Sequence, residues 1–427
     1  MIKNKVNKIL RQTENLILFN DLKNDKLINS LKKLCSDQKS NKKLSDLIYQ
    51  LVSSSISIGV SGDIWHNYLK NIITNSENIF SLKSEKNKIS KDSSLYGLAL
   101  NDTEILTNLF SFSFKDIIEA LNHPSFNSGH FKNLVNFKLS QSEINKNLTK
   151  SYQKLFRSNS AEKNLSTLID FYKTNGAGIL NNSRAFYWEN NYIKKVNNPD
   201  QISFKNLISY QKAKDKLLEN TESFLKGYQA HNVLLYGDSG TGKSSSVKAL
   251  LNRYYKNGLR LIEINSSQIK KLPEILEFLN QRGLYFIIFM DDLSFEEFET
   301  DYKYLKAVME GGIESRPDNV LFYATSNRRH LVREKWQDRE SEVHENDIIN
   351  EKLSLSERFG LTIMFNNPSQ SEYLTIVKEL AEQENIDLTE NKLKERALKW
   401  SKWNNGRSGR SARQFINQLL KEKRKKD

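Results

Sequence analysis

The sequence predicts an α/β protein: a parallel sheet flanked by helices around a phosphate-binding loop, with a mostly helical stretch before it and three helices after it. Three observations carry this. Between Pro199 and Pro368, apolar runs of strand length alternate with helical stretches, as βαβ units require. The first run, 233–236, leads directly into GDSGTGKS at 237–244, a glycine-rich turn in the strand-before, helix-after setting of the P-loop pattern. Outside these two prolines, apolar residues recur at helical spacing.

Residues 1 to about 195 show that spacing in sets such as Leu27, Leu31 and Leu34, or Leu44, Leu47, Ile48 and Leu51. Stretches rich in Ser, Lys and Asn near 81–94 and 139–160 read as loops. The expected organisation is a mostly helical domain over 1–170, a linker over 171–200, a nucleotide-binding core over 201–367, and a helical segment with a basic tail over 368–427. Strands are expected at 233–236, 259–264, 284–290, 320–325 and 361–365. Most are nearly all apolar, as strands covered on both faces must be, although the second carries Arg260 and Glu263. Helices are expected at 369–384, 389–403 and 409–424; the last gathers Ala412, Phe415, Ile416, Leu419 and Leu420 on one face.

A chain of 427 residues has room for two or three domains. Its single cysteine, Cys35, excludes an internal disulfide and a Cys-rich zinc site, and fits a reducing compartment. The six histidines lack metal-ligand spacing. The opening MIKNKVNKILRQTENLILF has too short an apolar stretch for a signal peptide, and nowhere do eighteen apolar residues run together, so a cytoplasmic protein away from membranes is expected. The net charge of +14 is uneven: residues 1–200 carry 28 Lys+Arg against 18 Asp+Glu, the remainder 37 against 33. In a chain rich in Lys, Asn, Ile and Ser, such an excess is first of all solvated surface.

The P-loop pattern points to a polyanion. Its glycines turn successive backbone N–H groups inward at a helix N-terminus. Over Gly237, Asp238, Ser239, Gly240, Thr241, Gly242, Lys243, Ser244 and Ser245, Lys243 is expected at the β and γ phosphates of ATP and Ser244 at Mg²⁺. The run 284–290 ends in Asp291 and Asp292, delivering carboxylates to the sheet edge where such folds bind ligand. Asp291 is expected at the metal site and Asp292 at the attacking water. The next strand delivers Ser326 and Asn327; Glu357, Arg358 and Phe359 precede the last strand, and Arg410 and Arg413 open the last helix. An amide suits a γ-phosphate or water, and a guanidinium suits transition-state phosphoryl charge.

In this order the chain resembles the AAA+ ATPase superfamily, which implies a P-loop AAA+ parallel sheet with a C-terminal helical lid. The resemblance implies Walker A at Lys243 and Ser244, Walker B at Asp291, sensor 1 at Asn327, and an arginine finger at Arg358 in SLSERFG. Sensor 2 falls on Arg410 or Arg413 in SGRSARQF, with Arg413 preferred because Ser-Ala-Arg is similar to the family's Gly-Ala-Arg. The segment from Phe204, with Ile208 and Tyr210, resembles the linker that touches adenine. The strings FIIFMDDLSFEE, YKYLKAVMEGGIESRPDNVLFYATSNRRHLV, LSLSERFGL, SGRSARQF and FYKTNGAGILNNSRAFYW are similar to a bacterial AAA+ family of unknown function over about 170–421. A homo-oligomer and a macromolecular partner, protein or nucleic acid, are implied with it.

Two departures bear on mechanism. Most AAA+ ATPases place Glu after the Walker B Asp, whereas this chain has Asp292, one methylene shorter, which implies either slow hydrolysis or a contribution from Glu296 or Glu297. The loop after the second strand, NSSQIKKLPEIL, lacks the aromatic and glycine that grip threaded protein. Asn265, which ends that strand, is either a polar switch or a turn cap. The expected function is a Mg²⁺-dependent ATPase that remodels or loads a macromolecular partner. The alternative is a nucleotide-dependent nucleic-acid-binding switch with little hydrolysis. A small-molecule kinase is disfavoured by the finger and lid.

Overall fold

A computed structural model describes residues 2–36, 41–121, 132–142, 144–294, 301–310, 316–327, 355, 357–404 and 406–424. It divides into two compact units: Met1–Asn182 with Arg282–Leu284, and Ser183–Gln281 with Tyr285–Asp427.

The first unit is helical for the reason its sequence suggests: each helix buries one apolar stripe. Helix Ile2–Gln12 buries Val6, Ile9 and Leu10. Helix Ile64–Asn75 starts at Asp63, whose carboxylate accepts the His66 N–H at 2.9 Å, the usual answer to an unpaired first-turn donor. Trp65 is fully buried and its indole donates to the Leu109 carbonyl at 3.2 Å. Buried Asp102 accepts the N–H groups of Ile17, Leu18 and Phe19. Arg282 donates to Glu85 at 2.6 and 3.1 Å. Both side chains are buried, so loss of either partner would strand a charge.

The second unit is built on a seven-stranded sheet in the order β2-β1-β4-β5-β6-β3-β7. Its strands are β1 (Ala185–Glu189), β2 (Tyr192–Lys195), β3 (Val233–Gly237), β4 (Leu259–Ile264), β5 (Tyr285–Met290), β6 (Val320–Ser326) and β7 (Leu361–Phe365). All neighbours are parallel except β1 and β2. The five strands expected from apolar runs are therefore present, within about a residue at each end.

The first two strands correct the sequence reading, which put 171–200 in a linker. AFYWENNYIKK is a hairpin, with Asn190 and Asn191 in the left-handed region at φ 51 and 65. Two consecutive positive φ values make the tight turn whose twist matches its strands, and Asn tolerates them.

Helices α1 (Gln211–Leu225), α2 (Lys243–Tyr254), α3 (Leu272–Asn280) and α4 (Asp301–Glu310) connect the strands. The sheet buries Val233, Leu235, Ile287, Phe289, Leu321 and Tyr323 against Leu217, Val247 and Leu250. Beyond β7, α5 (Gln370–Gln383), α6 (Glu390–Trp403) and α7 (Gly409–Arg424) close on their own core of Tyr373, Ile376, Leu380, Leu393, Ala397, Phe415 and Ile416. Among the described residues no helix is long and apolar enough to cross a membrane.

Candidate functional site

Because β3 lies between β6 and β7, with β5 beyond β6, the carboxyl ends of β3, β5 and β6 are neighbours. They deliver the loop 237–242, the pair Asp291–Asp292 and Asn327 to one sheet edge. A cavity of about 640 Å³ opens there, lined by every residue from Ser239 in the loop to Ser246 in the first turn of the following helix and by Asp291, Asp292, Thr325 and Asn327. Ile208 and Tyr210 line it from the segment before α1, and Arg410 and Arg413 from α7.

The loop geometry needs its glycines at two positions in particular. Gly237 has φ 130, and a Cβ there would run into the Phe365 carbonyl oxygen of β7. Gly242 has φ 98 and is the N-cap of α2. With hydrogen for a side chain it cannot cap, so first-turn N–H groups of α2 remain available to an anion.

Lys243 is held at the mouth of this nest. Its Nζ donates to the carbonyls of Gly237 and Asp238 at 2.7 and 2.8 Å and to Asn327 Oδ1 at 3.1 Å. Burial depresses its pKa, opposed chiefly by the carboxylates of Asp238, Asp292 and Asp291. A buried ammonium whose nearest partners are neutral carbonyls is a poised anion site. Ser244 donates to Asp291 Oδ1 at 2.6 Å.

Asp292 sits with φ 52, in the left-handed region. Such a non-glycine conformation stores strain of about 1–3 kcal/mol. Two contacts fix it: the Asp292 N–H donates to Thr325 Oγ1 at 2.9 Å, and Asn327 Nδ2 donates to Asp292 Oδ1 at 2.8 Å. Thr325 also donates to Asp291 Oδ1 at 2.5 Å. Sequence reasoning missed Thr325, because a β-branched residue inside an apolar run reads only as strand former. It also missed Lys214, a buried cavity-lining lysine whose Nζ donates to the Leu207 carbonyl. The available signal was its place at helical spacing with Leu217 and Thr221, both fully buried.

Other expected residues occupy different positions. Asp238 turns away, accepting the Asn367 N–H at 2.9 Å, and neither it nor Gly237 lines the cavity. Tyr210 has φ 61, packs its ring at a tilt on Phe365 with centroids 5.1 Å apart, and donates to the Asn366 carbonyl at 2.7 Å. Burial, with Glu372 and Asp238 nearby, pushes its phenol up to about 12. The Arg410 N–H donates to the Gly240 carbonyl at 3.1 Å, whereas the Arg413 guanidinium pairs with Glu384 at 3.3 Å. Arg358 lies away from the cavity, paired with Glu310 at 2.6 Å. Asn265 accepts from Ser267 Oγ at 2.6 Å and caps the turn that follows it. Glu296 and Glu297 lie outside the described residues.

The donor set fits a magnesium nucleotide. A hydroxyl and a carboxylate in contact are hard oxygen ligands, and Mg²⁺ typically takes one or two from protein and the rest from phosphate and water. Among the described residues no cluster of three or more His, Cys, Asp or Glu could hold a metal alone.

A P-loop on an inner parallel strand, acidic and amide strand ends beside it and a three-helix lid define an AAA+ nucleotide-binding protein. The chain belongs to the family described as "Protein of unknown function (DUF815)", which matches residues 181–423. It is similar to the replication factor C large subunit of Staphylothermus marinus, 36% identical over 70 residues covering 16% of each chain. It is similar also to an AAA-ATPase of Arabidopsis thaliana, 33% identical over 139 residues covering 30% of this chain and 27% of that one. The chain thus spans less than a third of the length of either relative. Among solved structures it is similar to a RuvB mutant of Thermotoga maritima, at 17% identity and TM-score 0.37, covering 51% of this chain and 64% of that one. The RuvB Holliday junction branch migration motor of Thermotoga maritima is matched at 14% identity and TM-score 0.33, covering 52% and 71%.

Proposed function

We propose that this protein binds ATP with Mg²⁺ at the 237–245 loop, hydrolyses it, and uses the cycle to remodel or load a macromolecular partner. The observation that carries this is the contact of Ser244 with Asp291 at 2.6 Å beside the buried Lys243, the first turn of α2 and the end of β5 converging on one anion nest. Lys243 and the α2 N–H groups bind the phosphates. Mg²⁺, held by Ser244 with Asp291 behind it, would neutralise charge developing on them. Asp292 accepts a proton from the attacking water, and Asn327 holds that carboxylate in place. Lys214, Ile208 and Tyr210 shape the side of the cavity where the adenine would lie. Arg358, remote from its own cavity, is assigned to a neighbouring subunit's site in a homo-oligomer.

Phosphate release by the full chain, measured against its own concentration with Lys243→Ala as blank, tests this. A specific rate that rises with concentration supports a shared site. A Lys243→Ala rate equal to wild type would overturn the proposal. A second reading, in which nucleotide occupancy more than turnover sets the state, is favoured by the shorter carboxylate of Asp292 and its existing bond to Asn327; tight ATP binding without phosphate release would select it.

A further inference from the structure

The corner between α6 and α7 carries a feature that nucleotide binding does not use. Trp403, at the end of α6, is 78% exposed, the most exposed large apolar side chain among the described residues. Burying an indole is among the larger apolar gains open to a side chain, so an indole left in water invites a partner. Its backbone is firmly set. The neighbouring Trp400 packs on Phe415 at 5.9 Å. The Asn404 N–H and side-chain amide donate to the Trp400 carbonyl at 2.9 and 3.2 Å, and the Gly406 N–H donates to the Ser401 carbonyl at 3.1 Å.

Its surroundings are cationic. Lys399 Nζ lies 5.8 Å from the Trp403 ring centroid, and Lys402 and Arg407 are exposed beside it in sequence. From Lys399 to Lys421 the chain holds six Lys and Arg and no Asp or Glu. An exposed indole on a set backbone, with Lys399 against it and Lys402 and Arg407 exposed nearby in sequence, matches a ligand that offers flat unpaired rings and regularly spaced negative charge.

We infer that this corner is a docking point for single-stranded nucleic acid, with one base stacked on Trp403 and phosphates met by Lys399, Lys402 and Arg407. Duplex nucleic acid fits less well, because its base faces are already stacked on each other and only single strands offer one to an aromatic ring. The inference names a partner class for the function proposed above and rests on that reading for its purpose. The docking itself is measured without nucleotide, so it fails or stands separately.

The test is fluorescence anisotropy of a fluorescein-labelled oligothymidine of about 20 nucleotides with the full chain, at several salt concentrations and without ATP. Trp403→Ala should weaken binding about tenfold, and Trp403→Phe should restore most of it. Lys399→Ala with Lys402→Ala should weaken binding and flatten the slope of log affinity against log salt by about 0.7 for each phosphate that is no longer neutralised. Because the indole is exposed, the melting temperature of Trp403→Ala should match wild type. Lys243→Ala should bind the oligonucleotide as wild type does, which separates this corner from the nucleotide site. Unchanged affinity in Trp403→Ala would overturn the inference. Displacement of the oligonucleotide by poly-glutamate as effective as by unlabelled oligothymidine would also overturn it, since the corner would then be a generic anion or acidic-protein surface.

Discussion

Asp291 and Thr325 meet through a hydroxyl-to-carboxylate bond of 2.5 Å, and the same hydroxyl accepts the Asp292 N–H at 2.9 Å. One side chain on β6 thus fixes the Asp291 carboxylate and the Asp292 backbone at the end of β5. Thr325 is almost fully buried, so removing its oxygen leaves the Asp292 N–H and one Asp291 bond without a partner. Thr325→Val should destabilise the protein by about 1–3 kcal/mol and lower ATP turnover, while Thr325→Ser restores both. Thermal melts and phosphate release read the two effects; a Thr325→Val protein with wild-type turnover would remove Thr325 from the site.

Asp291 should set metal dependence. Asp291→Asn keeps the shape and the bond with Ser244 but loses the charge. ATP affinity in the presence of Mg²⁺ should drop toward the value measured with chelator, with the metal-free affinity nearly unchanged. Mg²⁺ enhancement as large as in wild type would place the metal elsewhere.

Asp292 combines a strained backbone with the proposed base. Asp292→Gly relieves the left-handed conformation, but it also deletes the side chain that Asn327 bonds and adds freedom to the unfolded chain. Asp292→Asn isolates the chemistry: ATP binding should persist while turnover falls about 10²-fold or more, the usual contribution of a positioned general base. Turnover within a factor of two of wild type would assign the base to another group.

Arg358 tests the shared site. It is paired with Glu310 and about half exposed, so its loss should cost little stability, as exposed ion pairs generally do. Arg358→Ala should lower turnover of the assembled protein by about 10³-fold, as loss of a trans arginine does in phosphoryl transfer, without altering ATP affinity at low protein concentration. Full turnover would reduce the Arg358–Glu310 pair to a surface interaction.

Much of this arrangement was legible in the sequence because each signal was strong and local. The strands ending at Met290 and Ser326 are apolar on both faces, and the polar residues that follow them had to emerge at the sheet edge. The 237–244 string fixed the loop. The β1–β2 hairpin was missed because Phe186, Trp188 and Ile193 are separated by exposed aromatics, Tyr187 and Tyr192, which blur a period of two. The roles of Thr325 and the left-handed Asp292 depend on pairing across β5 and β6, a relation between residues 33 and 34 positions apart that no local window contains. The choice between Arg410 and Arg413 is not legible in the sequence because it depends on lid contacts: both line the cavity, the backbone of the first meets Gly240, and the second holds Glu384.

The most direct measurement is equilibrium ATP binding to the full chain by calorimetry with Mg²⁺ present, wild type beside Lys243→Ala. Lys243 is buried against the loop's own carbonyls, ready to exchange them for phosphate. The expected result is saturable one-to-one binding by wild type and its loss, or weakening by about 10²-fold or more, in a Lys243→Ala protein with an unchanged melting temperature. Equal affinity in the two proteins, or no ATP binding by a folded wild type, would contradict a nucleotide site at this loop.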